Sequence, residues 1–538
     1  MFKDLFDCKL VKQKLVFKFK KILFMKTKLL NLIFLFFCFN HGFSEAQSFS
    51  LISNGRSVPV WEQNDVPLSY SLNTYKYSRV VYTGKPLLIE INTSGFKFEN
   101  ADWDISPHSY ELQGKKQNNK LSFSINRTGY VVVRFSKDQD FTKRLVIFVE
   151  PPESLPVGEI VNVVESYNVD NSGIKNETKK IQLALNEISG TNKVLYFPDG
   201  KYKTFMLQIK SNSKIHLAKN SRIIADASNL NSYLAKKGER FNRFILIKDA
   251  SNIYVTGLGA FDGNGTQILG VVDPEKVREF GGIRLLYMLN SKNISFDGIL
   301  LKDSARWNTH FVGCQDITFR NCKMINNVIN NKFFGSLDGW DPDSSKRVLI
   351  EDCFSWAGDD NMAIKSTVYG SLNVDSNVED ITVRGCVFLT KKTSLKIGTE
   401  TMCVSYKRIL FEDIDVIEAD RVMGINVRDR AVVDGVLFKD IRSEYSFPDR
   451  KTMPINVYIT RREDNQPWIG KIKNVVFENC TFEQKFPNKI QISRLENYTD
   501  QKDIDVTFKN LTFLGKKINF LNPNYFNLSK CNGLIKFK

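Results

Sequence analysis

The 538-residue chain contains only four histidines, His41, His108, His216 and His310, and no Cys-x-x-Cys or His-Cys cluster. Zinc sites of the usual kind need such clusters, so they are excluded, and no metal or other cofactor is expected. Long apolar runs are also missing, and the stretch from Leu29 to Phe39 is too short to span a bilayer. Proline is scarce, with 15 residues against 41 phenylalanines, a balance that suits stacked strands with aromatic ladders. No nucleic-acid motif accompanies the net charge of +17. The first 46 residues hold nine Lys against Asp4, Asp7 and Glu45, so the remainder carries +11. Evenly spread lysines make a solvated surface, and the partner that such basicity favours is a polyanionic polysaccharide.

Lys26 and Lys28 precede that apolar stretch, and Ser44-Glu45-Ala46 supplies small residues after it. Residues 1–46 therefore read as a leader cleaved near Ala46, with Met25 the more economical start, and the product is expected to be secreted or periplasmic. Bulky residues before Cys38 argue against lipid attachment there.

What is present is a repeat. Nine copies of a seven-residue phrase run from Asn252 to Leu511, most cleanly as Asn-Val-Val-Phe-Glu-Asn-Cys at 474–480. Its first apolar position is Ile253, Ile294, Ile317, Val348, Ile381, Ile409, Val436, Val475 and Val506, and a second apolar residue stands two further on. Period-two alternation puts both on one face of a strand. Gly, Asn or Asp follows two residues later (Gly257, Asn321, Asp352 and Asn479 among them), types that tolerate a left-handed backbone, and an apolar residue comes next. A strand, a corner and a second strand recur at irregular intervals of 23 to 41 residues, which predicts an all-β solenoid, a parallel β-helix with variable outward loops. Cys322, Cys353, Cys386 and Cys480 share one inward position and are expected as free, buried thiols.

Residues 47–150 have a different rhythm and read as a small antiparallel β-sandwich; 151–159, with Pro151, Pro152, Pro156 and Gly158, as a linker; and 160–538 as the catalytic β-helix. Ile181, Ala184, Leu185 and Ile188 fall at helical spacing, marking a helix that caps the open end of the solenoid. The Asn- and Lys-rich residues after Phe513 read as a tail.

Acids concentrate at Ser336-Leu337-Asp338-Gly339-Trp340-Asp341-Pro342-Asp343-Ser344 and at Gly358-Asp359-Asp360-Asn361. The chain also uses Asp as a corner residue, at Asp352, Asp413 and Asp440, but Asp338, Asp359 and Asp360 lie outside that position. A separation of 21 residues approximates one compact coil, so Asp338 stacks near Asp359, and Gly358 permits a bend that turns both Asp359 and Asp360 into one groove. Crowded carboxylates cannot all ionise cheaply, which leaves one an acid and another a base, the equipment for cleaving a glycosidic bond. Asp341 and Asp343 read as turn formers, and Trp340 and Trp356 as either sugar platforms or core.

The Asp338–Ser344 and Gly358–Ser366 segments resemble the polygalacturonase family, glycoside hydrolase family 28. The resemblance implies a right-handed pectin-lyase-like β-helix and an inverting hydrolase of a polysaccharide, with Asp359 the general acid and Asp338 and Asp360 activating water. Simple coil stacking by itself predicts a carboxylate spacing near 5 Å, which fits retention instead. The chain departs from the family where Thr393 replaces an expected histidine and Asn426-Val427-Arg428 replaces Arg-Ile-Lys. His310, Thr393, Lys396, Asn426 and Arg428 are the candidate substrate-binding residues, with Arg421 able to add charge and Trp307 and Asn308 able to line a sugar site. The order of sandwich and β-helix is similar to that of the dextranase-type family, which keeps a neutral glycan open. A calcium-dependent lyase on the same scaffold and a non-catalytic carbohydrate-binding solenoid also fit a rod of this kind. Endo or exo action depends on outward loops such as 461–470.

Overall fold

The computed structural model describes residues 48–62, 76–100, 102–136, 143–237, 239–270, 281–326, 336–367, 377–446, 451–463, 466, 469–494, 503–531 and 533–538. The leader expected over 1–46 lies outside them, as do parts of the 461–470 loop.

From Ile160 onward the chain winds into coils with three strand positions. Two of them feed a continuous 24-stranded sheet, and the third forms an 11-stranded sheet running from Leu207–Ile209 to Phe526–Ser529. Repeat positions stack in register, Ile317 on Val348, Val348 on Ile381, Ile381 on Ile409 and Ile409 on Val436, all in parallel. This is a parallel β-helix. Every predicted corner residue has positive φ, from Gly257 at 104° through Asp352 at 51° to Asn510 at 53°. A second left-handed residue, unforeseen, precedes the first apolar position in most copies, as at Asn252, Asp316, Arg347 and Asn474. Each phrase is therefore bent at both ends.

Inside the rod the apolar positions form ladders. Phe411, Phe438, Phe477, Phe508 and Phe537 stack with centroid separations of 4.7, 4.9, 5.3 and 5.4 Å. Burying each such ring contributes roughly 1.5–3 kcal/mol. Cys322, Cys353, Cys386 and Cys480 are free and fully buried. The residues read as a tail after Phe513 pack onto the rod: Leu534–Phe537 pairs in parallel with Ile504–Lys509, adding one more coil. At the other end the helix Thr178–Ile188 buries Ile181, Ala184, Leu185 and Ile188 against the core, as its spacing required.

The N-terminal unit is a sandwich of two five-stranded sheets. It is not wholly antiparallel, because Lys76–Val81 and Arg144–Glu150 run parallel. Its strand Gly129–Arg134 is apolar on both faces for a reason. Val131 and Val133 fill the sandwich core, while Tyr130 and Val132 join Tyr77, Val146 and Phe148 against Leu300, Ile325, Phe354, Trp356, Val387 and Leu389 of the β-helix. Polar contacts reinforce the seam: Glu150 pairs with Arg79 at 2.8 Å and Lys323 at 2.7 Å, and Tyr130 donates to the Asp352 carbonyl at 2.6 Å. The sandwich thus covers one outer flank of the rod and leaves the 11-stranded sheet outside this seam.

Candidate active site

Asp338 lies just before the short strand Pro342–Asp343, and Asp359 and Asp360 lie between Phe354–Ala357 and Met362–Ser366 on the next coil. Backbone bonds lock the two coils together: Gly339 N–H donates to the Asp360 carbonyl and Trp340 N–H to the Asn361 carbonyl, both at 2.8 Å, while Asp359 N–H donates to the Leu337 carbonyl at 3.3 Å. Gly339 is required here, since a Cβ on it would stand 2.2 Å from the Asn361 carbonyl oxygen. Gly358 serves differently from the bend expected of it. Its φ is not in the left-handed region, and its bare Cα lets Leu337 pack where a Cβ would come within 2.9 Å.

Two lysines organise the acids. Lys365 Nζ donates to Asp338 Oδ2 at 2.5 Å and stands 3.1 Å from Asp341 Oδ1. Lys396 Nζ donates to Asp360 Oδ2 at 2.6 Å, and Thr393 N–H donates to Asp360 Oδ1 at 3.0 Å. Burial pushes the Asp359 carboxyl up to about 9, with Asp338 and Asp360 adding repulsion. Asp360 is held below the ordinary range because Lys396 and Lys365 outweigh its burial. Burial raises Asp338 against the pull of Lys365, and it raises Asp341 well above the usual range. Asp359 is half-buried, the most accessible of the four, while Asp338 and Asp360 are buried at 4% exposure.

Asp341 and Asp343 are not turn formers. Asp341 is sealed in the core beside Lys365. Asp343 is fully buried and accepts hydrogen bonds from His310 Nε2 at 3.0 Å and Thr367 N–H at 2.8 Å. His310 itself is fully buried, and its Nδ1 accepts from Arg284 Nε at 3.1 Å, which assigns the ring proton to Nε2. Neither ring nitrogen is left to meet a ligand. Burial holds this imidazole down near 4, hence neutral. Trp340 and Trp356 are core, Trp356 beneath the sandwich. Trp307 remains half-buried, with Lys365 Nζ 3.6 Å from its ring centroid.

Of the other candidates, Asn308 and Asn426 are buried, and Nδ2 of each donates to a main-chain carbonyl, Asp338 and Asn456 respectively. Arg421 and Arg428 are half-buried on the strand Arg421–Val427 and just past it. With Lys396 they surround the half-buried Tyr458, whose phenol is raised by burial and tempered by those three cations. Sequence reasoning does not single out Tyr458, Lys365 or Arg284. Register is the signal for Tyr458, which stacks on Asn426.

The fold is a parallel β-helix with a cluster of carboxyls where two adjacent coils meet. The chain belongs to glycosyl hydrolases family 28, which matches residues 190–521. A probable polygalacturonase of Vitis vinifera is 27% identical over 205 residues, 35% of this chain, and the chain spans 41% of that relative's length. Among solved structures, the exopolygalacturonase of Thermotoga maritima superposes with a TM-score of 0.56 at 18% identity, covering 71% of this chain and 93% of that one. Dex49A from Penicillium minioluteum gives 0.61 at 13% identity, covering 92% and 94%. At such identities these likenesses show the fold. Among the described residues, no helix is long and apolar enough to cross a membrane.

Proposed function

We propose that this chain is an exported hydrolase that cleaves a pectin-like or other uronate-bearing polysaccharide with inversion, using Asp359 as general acid and Asp338 and Asp360 to activate water. The observation that carries this reading is the contrast between two adjacent acids: Lys396 Nζ grips Asp360 at 2.6 Å and helps hold it low, whereas burial pushes Asp359 up to about 9. In the reaction, the Asp359 proton passes to the leaving glycosidic oxygen. Water adds to the anomeric carbon and gives its proton to the Asp338–Asp360 pair. General acid and base steps of this kind each contribute about 10²- to 10⁴-fold. Lys396, Arg421 and Arg428 around Tyr458 supply positive charge beside the acids, which suits a carboxylate-bearing sugar. His310 has no part in binding, and Thr393 and Asn426 act by holding backbone and carboxylate in place.

The experiment is incubation of the purified protein with polygalacturonate and, separately, dextran, with products sized by chromatography and their first-formed anomer read by proton NMR. The expected outcome is cleavage of the uronate polymer with inversion. Cleavage of dextran alone moves the substrate to the neutral glycans that the layout shared with Dex49A keeps open. Retention, an unsaturated product, or no cleavage of either polymer overturns the mechanism.

A further inference from the structure

Away from the acids, the seam between sandwich and β-helix gathers a second set of ionisable groups. Asp104 and His108 come from the sandwich, Glu444 and Tyr445 from the strand Val432–Tyr445, and Glu483 from the coil beyond. His108 Nε2 lies 3.1 and 3.2 Å from the two Asp104 oxygens, 3.7 Å from Glu444 Oε2 and 3.3 Å from the Tyr445 hydroxyl. Oxygens of three residues thus gather around one ring nitrogen. Four ligands held tetrahedrally at about 2.0–2.1 Å from a zinc-sized cation stand about 3.3 Å from one another. The observed separations straddle that edge length, and the ligand atoms of Asp104, His108 and Glu444 all lie within 4.8 Å of one another.

The surroundings also match what a metal-ligating histidine needs. Its other nitrogen, Nδ1, donates to Glu483 Oε2 at 2.6 Å, the carboxylate-to-imidazole contact that orients a ligating ring. Glu444 is buried at 1% exposure, and no Lys or Arg pairs with it among the described residues. The His108 backbone N–H donates to its Oε1 at 2.6 Å and Ser106 Oγ to its Oε2 at 2.5 Å, which fixes the carboxylate plane. Three carboxylates face one guanidinium, that of Arg134, which lies 3.8 Å from Asp104 Oδ2 and 3.4 Å above the Tyr445 ring. His108 is a third exposed, which gives an ion a way in.

We propose that Asp104, His108 and Glu444, with the Tyr445 hydroxyl as fourth neighbour, form a binding site for one divalent transition cation of the zinc or manganese class, clamping the sandwich to the β-helix. The imidazole nitrogen favours such a cation over calcium or magnesium, which prefer all-oxygen shells. The local spacing rules that exclude zinc in the sequence do not reach this set, because Glu444 lies 336 residues from His108.

The test is calorimetric titration of the full-length, chelator-treated protein with Zn²⁺, Mn²⁺ and Mg²⁺, together with thermal melts with and without Zn²⁺. Expected are one saturable equivalent of Zn²⁺ or Mn²⁺, a weaker response to Mg²⁺, and a rise in melting temperature on adding Zn²⁺. His108→Gln and Glu444→Gln should each weaken the affinity at least 10-fold. Should Glu444→Gln not fold, Asp104→Asn, a half-exposed position, provides the same comparison, and Co²⁺ in the wild type reports ligation through its visible absorption. No saturable binding, or equal affinity in wild type and His108→Gln, overturns the proposal and leaves a proton-held ion cluster at the seam.

Discussion

Lys396 reaches back one coil to Asp360, its Nζ 2.6 Å from Oδ2, and so places a cation within the acid cluster. This contact sets the ionisation of two carboxyls at once, because Lys396 lowers both Asp360 and its neighbour Asp359.

Replacing Lys396 by Met should therefore move both limbs of the pH profile upward. Asp360 must be ionised to act as a base, so activity is present above its folded pKa and lost as pH falls through it. Without Lys396 that pKa rises, and the acidic limb follows by about one unit or more. Asp359 must be protonated, and its pKa rises too, carrying the alkaline limb with it. The measurement is kcat/KM against pH for wild type, Lys396→Met and Lys396→Arg, with Arg restoring the acidic limb. Unshifted limbs would remove Lys396 from the control of either acid.

Asp359→Asn should lower turnover by roughly 10³-fold or more and keep glycan affinity. The same variant should be more stable than wild type at pH 7. The sign follows from a folded pKa raised to about 9. The stability tied to the protonated carboxyl is fully present below the unfolded value near 4 and drains away as pH rises toward 9. Asn does not ionise, so its advantage in melting temperature should grow between pH 4 and pH 9 and vanish at pH 4. A constant difference across that range would mean that desolvation of Asp359 is not the cause.

His310→Leu should destabilise the fold by about 2–3 kcal/mol, since it strands Arg284 Nε and removes a donor from Asp343. Urea unfolding reads the loss. KM of the folded fraction should stay within about twofold of wild type, because the ring offers no free nitrogen to a sugar.

Phe438 sits in the ladder between Phe411 and Phe477, nearly parallel to both at 7°. Truncation to Ala should cost about 3–5 kcal/mol, and Leu should cost less than half as much. Chemical denaturation of the two variants distinguishes ring packing from a mere need for bulk.

Much of this architecture is legible in the chain because it is periodic. The register Ile317, Val348, Ile381, Ile409, Val436 and the left-handed corners at Asn321, Asp352 and Asn479 follow from local alternation and from which side chains tolerate positive φ. The proximity of Asp338 and Asp359 follows from one coil's length. Asp341 and Asp343 read wrongly as turn formers because Asp beside Pro is ordinary turn chemistry. Only the packed coil reveals that Lys365, His310 and Thr367 face inward to receive them. The apolar run Tyr130–Val133 carries a signal of two covered faces, but its partner, the flank holding Phe354 and Trp356, is more than two hundred residues away.

Coil, corners and the identity of the acids are written into the chain itself, since each rests on interactions within a single phrase or between successive ones. Which acid keeps its proton, which histidine is buried and where the sandwich meets the rod are settled only once the coils have packed. Those outcomes depend on desolvation and on charges brought together from distant coils, and distance along the chain carries no record of either.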